Sequence, residues 1–119
     1  MPNVEDLDVY QRSHSLALEI YRITTRLPKD ERFGLIAQMR RSASSVPMNL
    51  AEGCGRSSDR ELRRYVDTAQ GSMTELRYQL KLSHDLGWID DECHGRLRRE
   101  VAQLGKMLHG LRNRLIADI

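Results

Sequence analysis

Cysteine is nearly absent from this 119-residue chain: Cys54 and Cys93 stand far apart, with no Cys-x-x-Cys spacing. That excludes a disulfide framework and a zinc knuckle, and it fits a reducing compartment. Aromatic residues number six, prolines three and glycines eight. A sandwich or barrel needs more of these for its strands and turns, so their scarcity beside abundant Leu and Ala points to an all-helical chain. No apolar run approaches the roughly 18 residues that a membrane helix requires. The N-terminal stretch MPNVEDLDVYQ is acidic and carries no apolar leader. The expectation is a soluble, cytoplasmic protein with no membrane partner. An excess of one charge is missing too: 19 basic residues face 17 acidic ones, a net +2 that by itself implies no nucleic acid.

What is present is arginine, 16 against 3 lysines. The guanidinium is the side chain that forks onto carboxylate or phosphate, and the same skew follows from a GC-rich genome; both readings stand. The length suits one domain that buries about two thirds of its unfolded surface.

Residues 1–7 read as a short lead and 8–119 as a single bundle. Val9, Tyr10, Leu16, Ala17, Ile20, Ile23, Thr24 and Leu27 recur at three and four, predicting a first helix that Pro28 ends. Lys29-Asp30-Glu31 would open the second, with carboxylates in its first turn where the helix dipole favours them. Gly53-Cys54-Gly55 would close it, glycine entering a left-handed cap at low cost. Ser58 with Glu61 matches a capping box for a third helix with the stripe Leu62, Tyr65, Val66, Ala69, Met73, Leu76 and Leu80, ended by Gly87. Asp90 or Asp91 caps a fourth, where Leu97, Val101, Leu104, Leu108, Leu111 and Leu115 form the cleanest heptad of the chain. Trp88 and Ile89 would plug one end. Short connections make neighbours antiparallel, so the expected fold is all-α, an antiparallel up-down-up-down four-helix bundle.

The stretch from Gly34 to Arg64 is the most informative. Leu35, Ile36, Met39, Ala43, Val46, Leu50 and Gly53 share one helical face, and Arg41, Ser45, Met48 and Glu52 the other, so two faces are occupied. Ser42, Ala43, Ser44 and Ser45, one turn before Pro47, would admit another backbone, with hydroxyls taking up carbonyls that Pro47 cannot serve.

The residues Gly34-Leu35, Gln38-Met39-Arg40-Arg41, Ser42 to Val46, Asn49 to Gly53, Gly55-Arg56, Ala69 to Ser72 and Glu75-Leu76 carry a resemblance. From about Leu7 to about Leu115 the chain resembles the bacterial four-helix bundle family of rRNA intervening sequences, and also the accessory protein of diversity-generating retroelements, a relative of that family. NLAEGCGR is the most specific block, with Leu50 where the family has Ile. The resemblance implies a homopentamer shaped like a short barrel, in which this block makes packing and assembly contacts. In the retroelement setting it also implies a reverse transcriptase as partner. Five copies at +2 would carry +10, enough to turn a weak charge into a basic ring.

Candidate chemistry is sparse. No glutamate has a histidine three places on, as a bundle metal site needs, and His14, His84, His94 and His109 fall on four segments. Cys93 and His94 would point apart on a helix. Ser44, Ser45 and Cys54 have no histidine nearby in sequence, and no phosphate-binding glycine loop occurs. The reading is no enzyme, no metal and no cofactor. Arg41, Ser45, Met48, Asn49 and Glu52 read as an oligomer or structural network, Glu52 accepting from an arginine of another helix or subunit and Asn49 tying down backbone near Pro47. Arg56, Arg60, Arg63, Arg64, Lys81, Arg99 and Lys106 are the candidates for nucleic acid, RNA or DNA, although Asp59 and Asp67 stand four residues either side of Arg63 and would absorb its charge. Two functions therefore stand: a pentameric module that binds nucleic acid through arginines, and a protein–protein assembly module, for example an accessory partner of a reverse transcriptase, that does not.

Overall fold

The helix boundaries follow from local capping chemistry, with two exceptions. In the computed structural model, which describes residues 2–117, helices and turns account for all regular structure. A 3-10 turn at Val4–Asp6, capped by the Asn3 side chain, leads into α1, Asp8–Ile23. Two further 3-10 turns, Thr24–Arg26 and Lys29–Glu31, precede α2, Leu35–Cys54. Helix α3 spans Asp59–Asp85 and α4 Asp91–Ala117.

The first exception is the start of α2. Lys29-Asp30-Glu31 forms its own turn instead of opening the helix, because Gly34 adopts φ −106°, ψ −111° and breaks the helical path between them. Glu31 still serves the helix across that break, its carboxylate accepting from the Leu35 amide at 3.2 Å. Leu27 is extended, as a residue before proline must be, so α1 stops short of Pro28 through the Thr24–Arg26 turn. The second exception is the end of α2. Gly55 has φ −82°, a right-handed geometry, so no left-handed cap forms there. Gly53 serves a different purpose: a Cβ on it would lie 2.7 Å from Leu62 Cδ1 and 2.8 Å from Tyr65 Cβ, so its bare backbone is what lets α3 approach. The left-handed glycine is Gly87, φ +83°, at the end of α3.

The remaining caps match their residues. Ser58 Oγ accepts from the Glu61 amide at 3.2 Å, while the Glu61 carboxylate turns to the Ser57 hydroxyl. Asp90 Oδ1 accepts from the Cys93 amide at 2.8 Å and begins α4. Pro47 lies buried inside α2 without interrupting it, although it cannot donate to the carbonyl four residues back. The neighbouring polar groups reach other carbonyls than that one: Ser44 donates to Arg41 O and Asn49 Nδ2 to Ser45 O.

One continuous core results. The stripes of α1, α2, α3 and α4 interlock around Ile20, Met39, Leu50, Leu62, Leu76, Leu97, Leu104 and Leu108, all fully buried, each such burial contributing about 1.5–3 kcal/mol. Tyr65 leaves the predicted stripe and is only half-buried, whereas Ile89 and Cys93 join the core and Trp88 packs partly against it. Contacts link α1 to α2, α2 to α3, α3 to α4, and α4 back to α1. Ser72 donates to or accepts from Ser45 across α2 and α3, Arg112 pairs with Asp67 across α3 and α4, and Arg12 and Arg96 of α1 and α4 pair with Glu100 and Glu19. The elongated body measures 45 × 24 × 20 Å.

Candidate nucleic-acid interface

Along the outer seam of α3 and α4 the facing residues are small or cationic, and the result is a groove of about 560 Å³. Helix α3 presents Gln70, Thr74 and Arg77 at steps of four and three, one face of a helix. Helix α4 presents Arg98, Ala102, Gly105 and His109 in the same spacing, with Arg99 and Lys106 one step round. Gly105 and Ala102 keep the seam open, and Met73 and Val101 supply an apolar floor. Four permanent cations therefore line the groove, and no carboxylate does. Among the described residues none of the four is in an ion pair. Ion pairs flank it along α3 instead, Asp67 with Arg112 below Gln70 and Lys81 with Asp85 (2.7 Å) beyond Arg77.

The seven candidate cations thus divide. Arg99 and Lys106 enter the groove. Lys81 is held by Asp85, the hydrogen bond to that carboxylate raising its pKa. Arg56 lies in the α2–α3 loop, donating to Tyr65 Oη at 2.6 Å and to Glu52 at 2.8 Å while its guanidinium covers the Tyr65 ring. Arg60 and Arg64 are exposed at the start of α3. Arg64 stands about 120° round α3 from Gln70 at about 100° per residue, and neither it nor Arg60 lines the groove. Arg63 is half-buried with its Nε unpartnered, and the expected neighbour Asp67 is taken by Arg112 of α4. Arg77 and Arg98 are lining residues that the sequence pattern leaves unmarked, although their register with Gln70, Thr74 and Gly105 is legible in it.

A protein-family model for the 23S rRNA-intervening sequence protein matches residues 5–110. The chain belongs to that family. A crystal structure of a protein of unknown function from the S23 ribosomal protein family of Bacteroides thetaiotaomicron superposes with a TM-score of 0.81 at 21% identity, covering 88% of this chain and 95% of that one. At that identity the likeness shows a shared fold. No curated protein matches the sequence.

On α2, Ser45 and Asn49 share one hydrogen-bonded group with Ser72 of α3. Ser45 Oγ accepts from Asn49 Nδ2 at 2.8 Å and bonds Ser72 Oγ of α3 at 2.8 Å, so Asn49 does fasten backbone beside Pro47. Within the chain Glu52 accepts from Arg56, four residues on in the adjoining loop. Arg41 is exposed, and Met48 is 66% exposed beside a shallow hollow shared with Ala51, Glu52 and Tyr65.

The fold also brings together two histidines that sequence kept apart. His84 ends α3 with its ring nitrogens against Asp85 (3.0 Å) and Asp91, and His94 stacks on it with ring centroids 4.5 Å apart. Hydrogen bonds that protonated His84 donates to Asp91 and then to Asp85 raise its pKa, while burial, and next the charge on His84, lowers that of His94. Among the described residues no three His, Cys, Asp or Glu side chains converge in a metal-binding arrangement. Burial raises the Cys54 thiol, the reverse of what activates a nucleophile.

Proposed function

We propose that this protein is a non-enzymatic, cytoplasmic, self-associating module that holds nucleic acid by its phosphates in the α3/α4 groove. The observation that carries this reading is the groove itself: Arg77, Arg98, Arg99 and Lys106 converge on one seam with no carboxylate among its lining residues. A seam of that composition repels itself when empty and is relieved by an anion, and guanidinium is the group best shaped to fork onto phosphate. Phosphate contacts position a strand without reading its bases, which suits a surface with one exposed hydroxyl and one amide among its cations. A homopentamer, which the sequence resemblance implies, would carry five such grooves. The exposed Met48 face of α2 supports self-association.

Four contacts on a single strand give a salt slope of about −2.8, so binding should weaken roughly 50-fold between about 50 and 200 mM salt. Gel shifts at those two concentrations measure it. Arg99→Gln with Lys106→Gln should flatten the slope by about 1.4, whereas Arg60→Gln with Arg64→Gln should leave it unchanged. Binding that ignores salt, or is absent at low salt, removes the reading. The second reading, an assembly module without nucleic acid, is favoured by the same Met48 face. It predicts that the groove variants change neither retention of nucleic acid nor native mass.

A further inference from the structure

The groove contains one polar atom that its own walls do not satisfy. Gln70 Oε1 is shielded from water and has no hydrogen-bond partner among the described residues. One orientation of the amide is favoured: Gln70 Nε2 faces the carbonyl of Gly105 at 3.5 Å, and because that carbonyl can only accept, the nitrogen lies there and the oxygen is left over. A shielded acceptor without a donor is a standing cost, and it makes the groove complementary to a ligand that supplies a hydroxyl or amine at this level.

The position narrows the donor. Gly105, which orients the amide, directly precedes Lys106, one of the four groove cations, and Gln70 stands two helical turns along α3 from Arg77, another. Lys106 and Gln70 thus lie at one level of the groove, a spacing that suits a phosphate on the first and its own sugar beside the second. In RNA that sugar carries the 2′-hydroxyl, a donor two bonds from the carbon bearing the 3′-phosphate oxygen; in DNA it carries hydrogen. We propose that Gln70 is a ribose-sensing residue and that the α3/α4 groove prefers RNA to DNA, an inference that rests on the phosphate-binding reading of that groove. Gln70 is itself only half-buried and its 3.5 Å contact to Gly105 is long, so the side chain can exchange that contact for one in which Oε1 accepts from an incoming hydroxyl.

The probes are 12-nucleotide oligomers of uridine and of deoxyuridine, which differ only in the 2′-hydroxyl, titrated into the full chain at low salt. One neutral hydrogen bond sets the expected preference at about three- to tenfold for the ribose form. Gln70→Leu should abolish the preference, bringing the affinities for the two oligomers together, with an unchanged circular-dichroism spectrum and melting curve as the control for folding. Equal affinity of the two oligomers for the native chain overturns the proposal while leaving phosphate binding intact. So does a preference that survives in Gln70→Leu. If neither oligomer binds, the phosphate-binding reading falls, and this inference with it.

Discussion

Replacing Gly53 with alanine sets two known effects against each other. In an ordinary helix interior the change is favourable by about 1 kcal/mol, since alanine loses less backbone entropy on folding. At Gly53 the new methyl would meet Leu62 Cδ1 at 2.7 Å, Tyr65 Cβ at 2.8 Å and Leu62 Cα at 3.4 Å. The Leu62 tip could swing aside in an open place, but Leu62 is 0% exposed and its neighbours are core. Tyr65 Cβ is fixed to the α3 backbone, so α3 itself must retreat, an overpacking cost of about 1–3 kcal/mol. Gly71, inside α3, is the matched control, because a Cβ there meets nothing within 4 Å. Gly71→Ala should therefore raise the melting temperature. Gly53→Ala should fall below it by the overpacking term alone, roughly 3–15 °C at the scale expected for a chain of this size. Thermal unfolding followed by circular dichroism, at one protein concentration so that association does not shift the midpoint, measures the difference. If the two variants melt together, α2 and α3 are not in backbone contact at Gly53, and the packing described for that crossing is wrong.

Two further outcomes are expected. His84 has a raised pKa, so its bonds to Asp91 and Asp85 contribute fully below the unfolded value near 6.5 and are lost as pH rises through the raised one; His94 has a lowered pKa and costs stability as pH falls. His84→Gln should then lower the melting temperature at pH 5.5 more than at pH 8, approximate values either side of that midpoint, and His94→Gln should remove part of the acid loss; identical pH profiles for native and variant chains would exclude both. Met48→Glu puts a charge on the exposed α2 face and should reduce the native mass measured by light scattering, and an unchanged mass would take self-association away from that face.

Much of this fold was legible because its signals are local. Ser58, Gly87 and Asp90 each act on backbone within three residues, and the stripes of α1, α2 and α4 are periodic in one helix at a time. Gly53 shows where local reading stops: a glycine near a helix end has two uses, a left-handed cap or a close crossing, and only the position of Leu62 and Tyr65 decides between them. The site was less legible for the same reason. Arg99 and Lys106 were visible as outward cations, but Arg77 and Arg98 become their companions only when α3 and α4 are laid side by side. Asp67 misled, because four-residue spacing offers it to Arg63 while packing gives it to Arg112.

The near-neutral composition and the basic groove are two views of one arrangement. Glu100, Glu19, Asp67, Glu52 and Asp85 are each paired with a cation outside the groove. Exposed pairs of this kind contribute only about 0–1 kcal/mol, so their consequence lies in where charge remains rather than in stability. Charges more than about 8–10 Å away are screened at physiological salt, and a strand in the groove therefore responds chiefly to Arg77, Arg98, Arg99 and Lys106. On the proposed phosphate-binding reading the attraction would belong to each chain, whatever the assembly. A Met48→Glu chain that no longer associates should keep the same salt slope per site and lose only the avidity of neighbouring grooves. A slope that collapses along with the mass would return the field to the assembly and contradict a groove that works alone.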